Sequence, residues 1–435
     1  MSADGAEGAA GGAGGHDAGS AADAKDRRIV RVPWHASLAP LEQGGHAVDL
    51  LEGGAQFFPA LEQAIAQAQR DIFVETYIFN DDPSGRRIAA ALGEAAARGV
   101  RTHLIVDGFG TRTIEAELIR LLGRTRLEVF RPERSRLSLS RNRLRRLHRK
   151  LAVVDGRVAF AGGINLLDDF HDPNHGALDE PRLDFAVRVQ GPLVAPANLA
   201  MHRMWWELAT VNRALAGLQS VGRSRIRAPR APADVISDVT EAGTTRAMLV
   251  LRDNFRFRRT IEQQYLEAIR NASRRVLIAN AYFFPGVRMR RALIDAARRG
   301  VRVRLLLQGR VEYRLQHYAS QALYEELLRA GIEIVEYRRS FLHAKAAVID
   351  DWATVGSSNI DPFSLLLARE ANVMVNDAQF AQALNVRIEA AIDAGGQPVV
   401  LQGHARRALP VRVMNSAAFL LLRIGVAISG AGDGY

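Results

Sequence analysis

The 435-residue chain contains no cysteine. Disulfide staples and thiolate metal sites are therefore excluded, and the composition fits a reducing compartment. Lysine is nearly absent as well. Of 58 lysines and arginines, only Lys25, Lys150 and Lys345 are lysine. Long apolar runs are missing too: no stretch reaches the roughly 18 consecutive apolar residues of a spanning helix. The nearest, residues 416–428, is short, is interrupted by Arg423 and follows Arg406, Arg407 and Arg412. It reads as an interfacial helix with basic flanks or as a helix packed on the protein's own surface. Residues 1–27 are Gly/Ala-rich without an apolar core, which reads as a disordered tail and not a secretory signal.

What is present begins with the two lysines. Lys150 lies in His148-Arg-Lys-Leu-Ala-Val-Val-Asp155 and Lys345 in His343-Ala-Lys-Ala-Ala-Val-Ile-Asp350, both H-x-K-x-x-x-x-D. An arginine excess is the ordinary mark of a GC-rich coding bias. Lysine that survives such a bias marks a position needing a compact ammonium, which the planar guanidinium does not replace. Both segments are apolar and β-branched, so they read as buried strands from 147 to 154 and from 342 to 349, each ending at an Asp turn. On a strand, residues two apart share a face, which sends each histidine and its lysine into one site. Imidazole beside ammonium suits an anionic phosphate. One histidine can attack phosphorus while a second moves the proton.

Small residues follow each motif: Gly162-Gly163-Ile-Asn165 and Gly356-Ser357-Ser358-Asn359. They allow close backbone approach, and Asn165, Asn359 and Ser357 can donate to phosphate oxygens. The first half lacks the hydroxyl that Ser357 supplies in the second. Further on, Asp184 and Glu370 each open another strand-like run. Either carboxylate can hold a histidine in its reactive tautomer.

The chain is also an internal repeat. A strand at 71–79, a helix at 85–98 ending at Gly99 and a strand at 100–106 recur as 276–284, 287–299 with Gly300, and 301–307. Preceding helices read from 59 to 69 and from 258 to 270. Glycine just past a helix is the expected stop signal, and the βαβ order predicts α/β halves with sheets flanked by helices. The predicted organisation is a tail at 1–27, a first domain at 28–217, a linker at 218–247, a second domain at 248–400 and a basic, apolar segment at 401–435. An apolar content of 48% suffices for two cores. A net charge of +11 asks for an anionic partner, either a membrane surface or nucleic acid.

With its two complete motifs the sequence resembles the phospholipase D superfamily, and within it the bacterial cardiolipin synthases of the short subgroup without N-terminal membrane helices. The likeness covers residues 50–399. It includes Glu75-Thr-Tyr-Ile-Phe79, the segment 98–108, the segment 252–261 and Trp352-Ala-Thr-Val-Gly-Ser-Ser-Asn-Ile-Asp-Pro-Phe363. The resemblance implies two similar domains about a pseudo-twofold axis that share one active site. It implies His148, Lys150, Asp155, His343, Lys345 and Asp350 as the catalytic set, and no cofactor or metal. The substrates it implies are phospholipids, phosphatidylglycerol and phosphatidylethanolamine among them, at an anionic membrane surface on the cytoplasmic face of the cell membrane. No nucleic-acid partner is expected on this reading.

Other readings compete with this one. A hydrolase on the same scaffold would pass the group to water, acting on a phospholipid or on nucleic acid. A catalytically silent membrane-binding protein would not need two intact motifs. The run Asp168, Asp169, His171, Asp172 and His175 has residue types that bind divalent ions, yet its Pro-containing loop reads better as a polar rim. Residues 131–150 form a basic stretch beside His148, suited to anionic headgroups or to plain solvation. Trp34, Trp205, Trp206 and the Phe57-Phe58 pair read as core.

Overall fold

A computed structural model describes residues 27–131, 145–173, 175–219, 231–253, 256–405 and 408–428. Most of the basic stretch 131–150 and nearly all of the tail lie outside these residues.

Each half builds the same seven-stranded arrangement. In the first, the sheet runs Gln43–Glu52, Phe185–Gln190, Val158–Gly162, Leu151–Val154, Asp71–Thr76, Arg101–Asp107, Arg126–Phe130. In the second, Thr245–Arg252, Ala368–Asn376, Trp352–Gly356, Lys345–Ile349, Arg275–Asn280, Arg302–Gln308 and Glu333–Tyr337 follow in the same order. The βαβ strands pair in parallel and the rest antiparallel. The predicted α/β halves are present, but their sheets are not separate. Gln43–Glu52 pairs with Thr245–Arg252, so both halves form one continuous sheet. Sequence periodicity describes the faces of a strand and is silent about which edges meet.

Period-2 alternation distributes side chains between two cores. Ala152 and Val154 pack into a cluster belonging to the first half, with Phe57 and Phe58. Leu151 and Val153 instead enter a cluster shared by both halves. In the second motif Ala347 and Ile349 face their own half, while Ala346 and Val348 enter the shared core. The helices Val194–Gln219 and Ala378–Gly395 contribute Met201, Leu384 and Ile388 to that shared layer. Burying two apolar faces per strand explains why both motif strands read as continuous apolar runs.

Local signals set the helix ends. Pro83 opens the helix Pro83–Ala97 behind an Asp82 cap that accepts from the Gly85 N–H. Gly99 and Gly300 have φ of 94° and 89°, the left-handed residue that terminates each βαβ helix. Part of the expected linker 218–247 is strand: Asp234–Asp238 pairs with Ile29–Pro33. The C-terminal helix runs Leu409–Ile428, longer than the apolar run suggested. By length and composition it could cross a membrane, although 22% of its apolar window is buried within the protein. Ala418, Leu422 and Val426 pack on the second-half core, and Phe419 meets Phe284 at 5.4 Å. Leu409, Val413, Leu420 and Leu421 on the remaining surface are exposed.

Candidate active site

The motifs meet because the backbone crosses between halves. The short strand Arg146–Leu147 pairs in parallel with Ala368 and Arg369, and Leu183 bridges Leu342. The His148 N–H donates to the Arg369 carbonyl at 3.0 Å, and the His343 N–H donates to the Leu183 carbonyl at 2.8 Å. Each histidine therefore lands beside the carboxylate one residue further along the opposite half. His148 Nδ1 lies 3.0 Å from Glu370 Oε1 and 3.2 Å from the Ser357 carbonyl. His343 Nδ1 lies 2.6 Å from Asp184 Oδ2. With Nδ1 engaged in both rings, Nε2 is the nitrogen left for chemistry. The histidine side chains keep 15% and 17% exposure over carboxylates exposed by 0% and 3%. Each ring thus keeps a small exposed edge above a buried carboxylate.

This crossing corrects the expected strand limits. The motif strands begin at Leu151 and Lys345, so neither histidine is on one of those strands. Both lie in extended lead-in segments whose backbone bonds are spent on the opposite half. Lys150 and Lys345 remain with them: Lys150 Nζ donates to the His148 carbonyl at 2.8 Å, and Lys345 Nζ donates to the His343 carbonyl. The two lysines are buried, at 5% and 1% exposure.

Burial dominates the electrostatics. It lowers the Lys150 ammonium to about 7, with repulsion from Lys345 adding to the shift. Lys345 falls to about 8 through burial, against the pull of Asp184 and Glu370. Asp184 rises to about 7 through burial, opposed by Lys345, while burial lowers His343 well below its ordinary value. Both shifts disfavour the charged forms, and burial is the first cause of each. His148 is also lowered by burial, with Glu370 opposing. The site is short of negative charge and suited to an anion.

The supporting residues divide. Asn165 and Asn359 are buried behind the motifs. Asn165 Oδ1 accepts from the Ile78 N–H at 3.1 Å, and Asn359 Nδ2 donates to Ser364 Oγ at 3.3 Å. The Ser357 hydroxyl, expected to reach phosphate, donates instead to Glu370 Oε2 at 2.5 Å. Its counterpart Gly163 shows why the first half has no hydroxyl there: an added Cβ would lie 2.2 Å from Asp184 Oδ1. The shorter Asp184 sits tight against glycine, whereas the longer Glu370 is steadied by serine.

Asp155 and Asp350 do not join the site, which corrects their place in the expected catalytic set. Both occupy hairpin turns beyond the far ends of the motif strands, with φ of 54° and 53°. Asp155 accepts from the N–H groups of Gln69, Arg70 and Asp71 at 2.7–3.0 Å. Asp350 accepts from those of Ser273, Arg274 and Arg275 at 2.8–3.0 Å. Burial raises the Asp350 carboxyl, but these donors outweigh it and hold the group below the usual carboxylate range. An aspartate tolerates αL and can staple three orphan donors at once. The motif's last letter therefore fixes strand to helix.

Three site features were not singled out from sequence. Arg149, inside the first motif, forms a buried bidentate pair with Glu75 at 2.8 Å. Asp107 accepts from the Leu147 N–H at 2.7 Å and anchors the lead-in to His148. The Tyr77 ring lies 4.9 Å from that of His148, with Lys150 Nζ 5.3 Å from its centre. The Asp168–His175 loop spends its carboxylates on protein donors. Asp169 accepts from the Gly54 N–H, and Asp172 faces His175 at 2.9 Å and Arg182 at 3.3 Å.

Known proteins share this framework. The family described as cardiolipin synthase, phospholipase D-like domain, matches residues 61–178 and 265–392. Cardiolipin synthase B of Escherichia coli is 39% identical over 359 residues, covering 82% of either chain. Cardiolipin synthase A of Pseudomonas fluorescens is 31% identical, covering 79% of this chain and 68% of that one. The crystal structure of Haemophilus influenzae phosphatidylserine synthase aligns over 93% of this chain and 97% of that one, with a TM-score of 0.57 at 11% identity. That last likeness concerns the fold alone. A family match in both halves, and relatives alike over most of their length, place the chain in the cardiolipin synthase family of phospholipase D-like proteins.

Proposed function

We propose that the chain is a phosphatidyltransferase that forms cardiolipin, with His148 and His343 dividing the roles of nucleophile and proton shuttle. The observation that carries the reading is the crossed pair of histidine–carboxylate contacts, which gathers two partly exposed imidazoles beside the two buried lysines. One Nε2 attacks phosphorus of a glycerophospholipid. The bond to the headgroup oxygen breaks, and the other histidine gives that oxygen its proton. Glycerol leaves from a phosphatidylglycerol donor, or ethanolamine from phosphatidylethanolamine. In the second step the hydroxyl of a phosphatidylglycerol loses its proton to the shuttle histidine while its oxygen bonds phosphorus. The phosphorus–nitrogen bond breaks, and its electrons return to the nucleophile. Lys150 and Lys345 neutralise the equatorial oxygens, with Asn165 holding the Ile78 backbone and Asn359 the Ser364 hydroxyl behind them.

Lipid substrates place the working enzyme at a membrane. We assign it to the cytoplasmic face as a peripheral protein. The outer surface of the helix Leu409–Ile428 would lie in the interface, with Arg412 and Arg423 reaching the headgroups. The deciding experiment is thin-layer separation of lipids after incubation with phosphatidylglycerol vesicles. Cardiolipin supports the reading. Phosphatidic acid as the sole product would make the protein a phospholipase, and inertness toward lipid with cleavage of DNA would make it a nuclease.

A further inference from the structure

Strand register places one buried polar residue opposite each motif lysine. Asn280 pairs with Lys345 where the strands Arg275–Asn280 and Lys345–Ile349 run antiparallel. In the first half Glu75 pairs with Leu151, so by the same register Thr76 stands opposite Lys150. Opposed residues of an antiparallel pair share a face of the sheet, which puts Asn280 and Thr76 on the lysine side. The two residues are 0% and 1% exposed.

The halves use these residues differently. In the first, the Leu166 N–H, next after Asn165, donates to the Ile78 carbonyl at 3.1 Å, with the Thr76 hydroxyl further off at 3.4 Å. In the second, the equivalent Ile360 N–H donates to Asn280 Oδ1 at 3.1 Å. A side chain does there what the backbone does in the first half. That bond fixes which end of the Asn280 amide is oxygen, and its Nδ2 is left buried without a partner among the described residues. The amide thus matches one buried donor and leaves another of its own unmatched, so it gains the fold little. Its use lies in what the oxygen holds.

Ile360 closes the turn 357–360, and its carbonyl accepts from the Phe284 N–H at 2.8 Å. At the other end of that turn, the Ser357 carbonyl lies 3.2 Å from His148 Nδ1 and the Ser357 hydroxyl donates to Glu370. We infer that Asn280 is a positioning residue for His148. By holding the Ile360 N–H it fixes the turn, and through Ser357 it sets the imidazole against Glu370. The strand beside Lys345 is thereby tied to the histidine supplied by the opposite half. Gly163, which stands in place of Ser357 in the first half, has no hydroxyl to complete such a chain toward His343. The inference rests on the two-histidine reading above, and it holds whether an alcohol or water receives the group.

The test uses the full-length protein and phosphatidyl-p-nitrophenol, a donor whose alcohol leaves without protonation. Asn280→Val and Asn280→Thr have the same shape and differ in one hydroxyl, the acceptor that threonine supplies in the first half. Valine moves the unmatched donor from the side chain to the Ile360 N–H, so the urea unfolding midpoint should stay near that of wild type. Its single-turnover rate of nitrophenol release should fall about a hundredfold, the cost of a group misplaced by about 1 Å. The half-saturating lipid concentration should stay within a few-fold. Asn280→Thr should recover most of the rate. Asn280→Val combined with Ser357→Ala should be little slower than the slower single variant, because both act through one contact with His148. A valine variant as fast as wild type, a rate loss that follows a loss of stability, or effects that multiply in the double variant would each overturn the inference. Wild-type protein that releases no nitrophenol sinks the two-histidine reading itself.

Discussion

Replacement of Asp155 separates a catalytic aspartate from a structural one. Its carboxylate receives three backbone N–H bonds from the segment that leads into the strand Asp71–Thr76. At a half-buried position each is worth about 1 kcal/mol, a conservative figure for a charged acceptor. Alanine forfeits all three and adds about 1 kcal/mol for a φ of 54°. Asp155→Ala should therefore destabilise the fold by roughly 4 kcal/mol, and Asp155→Gly by roughly 3 kcal/mol, since glycine accepts the backbone angle. Asp155→Asn keeps one acceptor oxygen and the tolerance of αL, so its cost should be about 1 kcal/mol. Urea unfolding measures the series. Transfer assays at 10 °C, well below each variant's transition, should find specific activity within a few-fold of wild type for Asn and Gly. An Asp155→Asn protein that unfolds like wild type yet is as inactive as His148→Ala would refute the reasoning and return the residue to the catalytic set.

Lys150→Arg and Lys345→Arg keep the charge but widen and flatten a group held at 5% and 1% exposure, so each should cost roughly a hundredfold in kcat/KM; near-normal rates in both would undo the argument from lysine scarcity. The lowered ammonium values of about 7 and 8 set the pH response. Above them the free enzyme loses the cations that receive phosphate, so kcat/KM should fall as pH rises through 7–8. A profile flat to pH 10 would mean that the lysines stay charged. The single variants His148→Ala and His343→Ala should both lose complete turnover. Incubated with phosphatidyl-p-nitrophenol, His343→Ala should gain the mass of one phosphatidyl group on His148, and the reverse variant should gain nothing. An adduct on His343 in His148→Ala would exchange the roles.

How much was legible beforehand follows from the range of each interaction. Residue chemistry and short spacings are properties of the chain itself. The paired His and Lys, the following Asn165 and Asn359, the βαβ repeat and its glycine stops at Gly99 and Gly300 could be read without coordinates. Asp184 and Glu370 stood out as carboxylates suited to orienting a histidine. Which histidine each would orient is a matter of pairing between halves, and the partners lie 159 and 222 residues apart. No periodicity within a half encodes that crossing. The same limit explains Asp155 and Asp350. The motif places them in line with the histidines, but a strand carries its two ends apart, and only the neighbouring helix–strand junction shows what their carboxylates hold. Ser357 was assigned by chemical type to phosphate, and the tertiary structure gave its hydroxyl to Glu370. Sequence thus determined which groups could do chemistry on phosphorus. Folding decided which of them share a site, because strand edges and buried carboxylates find their partners only when the two halves close on one another.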